Sequence, residues 1–421
     1  MAVSREHDEA LTRAGLHFSV LMAGLENGMF SFVFLSFMNS YLLTELHAGA
    51  AAPGYTLAAY SAIVLIVNTV AGALLDRLAP SRILAAVVAL QLTATAVLFL
   101  THSFAGFMVA AVLLALGAGG VWPLVWTVLG ITQPLGRRAG ASAAISVAGY
   151  ATTGGGLGLG VTLGALAPPW VSMVVIGAAA ATPLIWVGSP VLTRPRPEGD
   201  RTSSVAPRRA SFQIRLPRIP GIRAVAALLF LSYGSRTAIA VVYGPYALLS
   251  LNQSLLATVP YLVPAGALAL ATLWLVPRWS RTERRRRELG ALFVAAAVGA
   301  VLMSVAPTVL LAGIAAIPLV IGITACAPLL AATVLDVGSG ESSRGLIFGS
   351  LLTIEGIGTV AMRALAAVAI DFTGPRGGLL AVAAMFAVLV FLAPFAPAPS
   401  RETDEGGRSA GRDIDAPPRV E

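Results

Sequence analysis

The chain has no lysine, a single cysteine and only four histidines, at positions 7, 17, 47 and 102. One thiol cannot close an internal disulfide, and histidines without ligand spacing make no metal site, so neither a disulfide framework nor a metal or other cofactor is expected. Cys326 lies within an apolar run and reads as a small packing residue. Charge is scarce as well: 11% of the 421 residues are charged against 57% hydrophobic, and the mean hydropathy is +0.83. A soluble domain is about 25% charged, so a string of water-soluble domains is excluded. The composition is that of an all-α polytopic membrane protein, in which each helix satisfies its own backbone polar groups. Residues 1–13 are polar and mixed in charge, and the apolar run after them is far longer than the core of a cleavable secretory signal, so that run is expected to stay as a span.

What the chain does have is long apolar runs, each sufficient to cross a hydrocarbon core of about 30 Å. Twelve are expected, near 15–43, 54–75, 83–101, 105–130, 139–165, 169–188, 222–249, 255–276, 289–306, 308–334, 344–370 and 376–395. The net charge of +8 comes from arginine, and the arginines sit in the gaps between runs, which argues for membrane topology rather than for nucleic acid as a partner. Arg77 and Arg82, Arg137 and Arg138, the series from Arg194 to Arg223, the series from Arg278 to Arg287, and Arg344 all fall in alternate gaps. The opposite gaps hold Arg376. By the positive-inside rule both termini are cytoplasmic and the protein is a multi-pass protein of the cell (inner or plasma) membrane. The run Arg284 to Arg287 reads as a positive-inside anchor rather than a nuclear signal or lipid patch. Residues 189–221, rich in Pro, Arg and Ser, are expected to be a cytoplasmic linker between helix bundles at 15–188 and 222–396, with tails at 1–14 and 397–421.

The two halves carry traces of duplication. Arg13 and Arg223 each open a half, Glu26 and Arg236 follow at the same interval, and Arg138-Ala139-Gly140 is echoed by Arg344-Gly345. Charges within the runs are few: Glu26, Arg236, Glu355 and Arg363. A charge near the bilayer centre costs several kcal/mol and needs a partner or water. Glu26 lies about 20 Å of helix from Arg13, and Arg236 is at the same count from Arg223; Glu355 lies about 16 Å from Arg344, and Arg363 is expected deeper toward the outside. These residues either tie helices together or line a pathway. A carboxylate in a half-dry crevice takes up a proton more readily when an arginine partner moves away, which suffices for proton coupling through Glu26 or Glu355. Trp122 and Trp126 share a face of the fourth run, and Tyr233, Arg236 and Tyr243 share a face of the seventh. They either stack on a substrate or pack the bundle; Asn27, Asn68 and Tyr150 are weaker candidates of the same kind.

Between the second and third runs stands Gly72-Ala73-Leu74-Leu75-Asp76-Arg77-Leu78-Ala79-Pro80-Ser81-Arg82. Gly72, Asp76, Arg77 and Arg82 match a turn of the major facilitator superfamily, and Ala79 and Ser81 depart from it by replacing a Gly and a basic residue. The chain resembles that superfamily over nearly its whole length, from Arg13 to about Phe395. The resemblance implies a fold of two six-helix bundles in pseudo-symmetric repeat, a substrate site between them near the midplane, and the first and seventh spans facing each other, so that Glu26 and Arg236 would meet. It also implies that the turn is a gate, with Asp76 reaching the start of the eleventh span near Arg344. The Gly-rich stretch Gly149 to Gly160 resembles a motif of proton-driven drug exporters but lacks its Pro, and the arginine expected near Leu113–Ala115 is absent.

The expected function is secondary active transport by alternating access: export of a small, partly hydrophobic organic compound by a monomer in exchange for protons. The rival is uptake of an organic anion gripped by Arg236 and Arg363. A membrane sensor that binds but moves nothing is a third reading. An enzyme is not expected, since the outer gaps lack nucleophile, base or metal clusters.

Overall fold

The computed structural model describes residues 2–75, 77–133, 138–193, 221–279, 284–338 and 344–396. Among these every regular element is a helix. α1 begins as Ala2–Phe30 and runs on through π-helical turns at Ser31–Phe37 and Tyr41–Glu45. α2 is Ala52–Leu75, α3 Pro80–Leu100, α4 Phe104–Thr132 and α5 Arg138–Leu166. α6, Pro169–Ala181, tightens into a 3-10 turn at Thr182–Trp186. α7 is Ile222–Pro245, continued by a π turn at Tyr246–Ser250; α8 is Leu255–Trp279, α9 Arg285–Val305 and α10 Val309–Gly338. The stretch Arg344–Leu392 holds α11 (344–373) and α12 (375–392), folded at Gly374, where φ is 74°. That left-handed backbone favours glycine, and Pro375 then opens the next helix. Nine segments among the described residues are long and apolar enough to cross a membrane, and one of them, Thr353–Phe395, contains this fold.

Helix ends follow the local chemistry. Ala79 is extended and Pro80 supplies the first helical position of α3. The Ser103 side chain accepts from the Gly106 N–H (3.1 Å) at the start of α4, and Thr308 accepts from Leu311 (3.4 Å) at the start of α10. The polar leader is helical from Ala2, well before the apolar run, and Glu9 pairs with Arg13 one turn on at 3.5 Å.

The ends of α1 and α7 are built alike. Leu46 N–H donates to the Tyr41 carbonyl and Leu251 N–H to that of Tyr246. Ala48 N–H reaches Leu42 and Gln253 N–H reaches Ala247; His47 and Asn252 take φ values of 49° and 50°. Each tyrosine then reaches the neighbouring helix turn: Tyr41 lies 3.5 Å from His102, and Tyr246 donates to the Met303 carbonyl at 2.6 Å. Asn39 packs on Gly244, placing the two helices side by side at this level. This register differs from the one expected by counting from Arg13 and Arg223. Glu26 stands fifteen residues before Tyr41, whereas Arg236 stands ten before Tyr246. The difference of five residues is roughly 7 Å of helix rise. Arg236 therefore corresponds in level to Ser31, not to Glu26.

Within the first six helices, α1 packs on α4 and α5, α2 on α4, and α3 on α4 and α6. Within the last six, α7 packs on α11, α10 on α8 and α9, and α9 on the α11–α12 stretch. The two sets meet along α2 and α11, where Gly54 admits Val241 and Ala367, and Gly356 admits Leu65. They meet again where Val161 of α5 joins Leu255 and Ala247.

Candidate functional site: charged residues where the helix sets meet

The α1–α2–α11 junction gathers Glu26, Phe30, Tyr60, Ser61 and Arg363. Glu26 is partly buried, and its Oε1 accepts from the Tyr60 hydroxyl at 3.3 Å. The next residue of α2, Ser61, accepts from Nη1 of Arg363. Arg363 is only 6% exposed, and its guanidinium lies over the Phe30 ring, 5.6 Å from the centroid. Tyr60 itself packs on Phe34 (4.2 Å between centroids) and Phe30 (5.7 Å) and lies within the fields of both Glu26 and Arg363. A tyrosine thus stands between an acid on one helix set and a base on the other. Nε of Arg363 is buried without a hydrogen-bond partner, a costly state for a guanidinium in a dry setting.

A second group lies on α7 and α11. The Arg236 guanidinium sits over the Tyr233 ring at 4.9 Å. Arg236 is the cation acting on Glu355, yet no ion pair joins them, and Nη1 of Arg236 is buried without a partner. Behind it Ser232 and Cys326 are in contact at 3.7 Å, both fully buried. Cys326 is the packing residue its apolar surroundings suggested. The expected meeting of Glu26 with Arg236 is not what the structure places here: Glu26 is held by Tyr60, and Arg236 lies nearer Glu355. The shifted register of α1 and α7 is the reason.

The remaining candidates are scattered. Asn27 donates to its own helix at Ala23 (2.8 Å) and packs against Gly149, so it serves the α1–α5 contact. Trp122 and Trp126 stack at 6.2 Å; Trp122 joins the apolar cluster of α1, α3 and α4, while Trp126 is 47% exposed. Tyr243 does not join Tyr233 and Arg236 in one group. Its hydroxyl bonds Thr258, and its ring lines a small cavity with Tyr246, Tyr261 and Met303. The Asn68 carbonyl oxygen is buried without a partner. In the turn at 72–82, Gly72 is partly buried and Arg77 and Arg82 are exposed. Asp76 and the side chains of Arg344 and Tyr150 lie outside the described residues. Tyr60 and Ser61 were missed from sequence. Their signal was a hydroxyl pair inside an apolar run, which does not stand out when only charges are sought.

The family model of the Major Facilitator Superfamily matches residues 17–341. No curated protein sequence matches the chain. Among solved structures, the chain is similar to a bacterial homolog of the human lysosomal transporter Spinster, in an inward-facing and unoccupied conformation, at a TM-score of 0.68 and 15% identity over 92% of this chain and 96% of that one. It is similar to the nucleoside transporter NupG at 0.66 and 11%, over 90% and 98%. It is also similar to the human organic anion transporter MFSD10 at 0.56 and 15%, over 91% and 99%. At these identities the likeness is one of fold. The family match over most of the sequence, with helices paired as in a two-bundle transporter, establishes that this multi-pass membrane protein belongs to the major facilitator superfamily of transporters.

Proposed function

We propose that the protein exports a small, partly hydrophobic organic solute in exchange for protons, by alternating access between the bundles at 15–188 and 222–396. In this reading the arginine-rich face is cytoplasmic, both termini lie there, residues 189–221 link the bundles, and the unit is a monomer in the cell membrane. The supporting observation is the Glu26–Tyr60 bond beside Arg363. Glu26 is a partly buried carboxylate with one neutral hydrogen-bond donor and, among the described residues, no ion pair, at a helix junction that must open and close. Protonation removes a charge that is expensive at such depth, so the state of Glu26 is coupled to how tightly α2 sits on α1 and α11. The turn at 72–82 acts as the gate, with Asp76 drawn to the start of α11 and to Arg344.

The test is flux in liposomes carrying the purified protein, with an imposed pH gradient and a panel of organic solutes. Glu26→Gln abolishes gradient-driven accumulation and leaves solute exchange running. Gradient-driven transport that persists in Glu26→Gln removes Glu26 from coupling, and wild-type flux that ignores the pH gradient removes proton coupling itself.

A further inference from the structure

We infer that the transported solute carries a carboxylate, and that Arg236 is the group that takes it; the inference rests on the transport reading above. Of Arg236 and Arg363, the two arginines expected deep within the apolar runs, Arg363 is engaged. It bonds Ser61 on the opposite helix set, lies over Phe30 and is almost wholly covered. Arg236 is different. It is partly exposed and, among the described residues, makes no hydrogen bond to the first six helices and no ion pair; like Nε of Arg363, its Nη1 is buried without a partner. It lies fourteen residues beyond Ile222, the start of α7, hence about 20 Å along the helix and well inside the membrane.

Its neighbours fix the guanidinium rather than neutralise it. Tyr233 lies one turn before Arg236 on the same helix, with its ring centroid 4.9 Å from the guanidinium carbon. A guanidinium offers parallel N–H donors that match the two oxygens of a carboxylate. Glu355 contributes negative field without closing a pair. The site therefore holds a partly buried cation with one unpartnered N–H group and, among the described residues, no ion pair, a state whose cost falls when an anion arrives. The close approach of α7 and α11 at Gly234 and Gly358 sets main chain against main chain two residues from Arg236 on α7. A cationic solute would meet Arg236 as a like charge, and a neutral one would offer Nη1 only an uncharged, weaker acceptor.

The experiment uses the full chain in liposomes and a panel of monocarboxylates: acetate, octanoate, benzoate and indole-3-acetate, each with its primary amide and corresponding amine. Binding is read as a shift in thermal unfolding, and transport as counterflow. The expected result is that at least one acid binds and is carried while its amide and amine are not. Arg236→Gln weakens that binding by about tenfold or more, the loss of a charge-assisted hydrogen bond. Arg236→Lys retains part of it. Glu355→Gln tightens it, because the competing negative charge is gone; a purely structural role for Arg236 would not produce that gain. Amides or amines bound and carried in preference to the acids overturn the assignment and leave the transport reading standing. Acid binding unchanged in Arg236→Gln overturns it as well. Acid binding without flux of any compound retains the anion site and refutes transport.

Discussion

At the α1–α5 crossing a Cβ on Gly156 would press on the carbonyl oxygen of Gly28; at the α7–α11 crossing a Cβ on Gly358 would press on that of Phe230. Both crossings bring main chain against main chain, the contact that small residues allow between helices in lipid. The side chains beside them differ in sign and in how they are satisfied. Beside the first, Glu26 borrows a hydroxyl from Tyr60 on α2. Beside the second, Arg236 leans on Tyr233 of its own helix and keeps a free donor. Two copies of one packing arrangement have thus been given opposite charges, and each charge is held by a different neighbour. The packing sets where the halves can touch, and the side chains set what passes between them.

The packing half of this comparison breaks most severely. Gly358→Leu forces a branched side chain into the Phe230 backbone, where overpacking alone costs about 1–3 kcal/mol and no flexible side chain can yield. The expected outcome is loss of a monodisperse folded protein in detergent chromatography. Gly266 on α8 has open space around it, so Gly266→Ala keeps the wild-type profile; equal behaviour of the two variants would deny the crossing its role. Next in size is Arg363→Gln. It removes the donor to Ser61 across the helix sets, and counterflow falls by about tenfold, as expected when a charged hydrogen bond worth 1.5–3 kcal/mol is lost, while the protein remains folded. Tyr60→Phe is milder. The ring packing on Phe30 and Phe34 survives, and only the hydroxyl on Glu26 goes, worth about 0.5–1.5 kcal/mol. Gradient-driven flux drops several-fold, and a drop as large as that of Glu26→Gln would mean that Tyr60, not Glu26, handles the proton.

Much of this architecture was legible in the sequence. The apolar runs predict the helices closely: 54–75 against Ala52–Leu75, and 105–130 against Phe104–Thr132. Hydrocarbon imposes length and apolarity on every span, so that signal is strong. The four intramembrane charges stood out for the same reason. Their partners did not. Pairing Glu26 with Arg236 assumed that Arg13 and Arg223 stand at one level, whereas the level of α1 against α7 is set at the far end, by Asn39 on Gly244 and by the matching turns after Tyr41 and Tyr246. No periodicity in the sequence marks that register. Tyr60 and Ser61 were hidden because a neutral hydroxyl is inexpensive in a helix, where Ser61 also donates to the carbonyl of Leu57 one turn back. They became visible as partners only when α2 was laid against α1 and α11.

The smallest expected effect belongs to Tyr243, and it separates neighbourhood in sequence from neighbourhood in function. Tyr243 stands two turns beyond Arg236 on α7, and its hydroxyl is spent on Thr258 of α8. That bond lies within the last six helices, so it persists whichever face of the transporter is open. Tyr243→Phe leaves the ring in place and costs about 0.5–1.5 kcal/mol, the net worth of one hydrogen bond. Thermal unfolding should shift by a few degrees at most, with counterflow and its dependence on the pH gradient unchanged. A Tyr243→Phe variant that alters solute selectivity as Arg236→Gln does would extend the solute site along α7 to the α8 contact. A change confined to stability leaves Tyr243 as a brace between α7 and α8, and marks Arg236 as the outer limit of the chemistry on that helix.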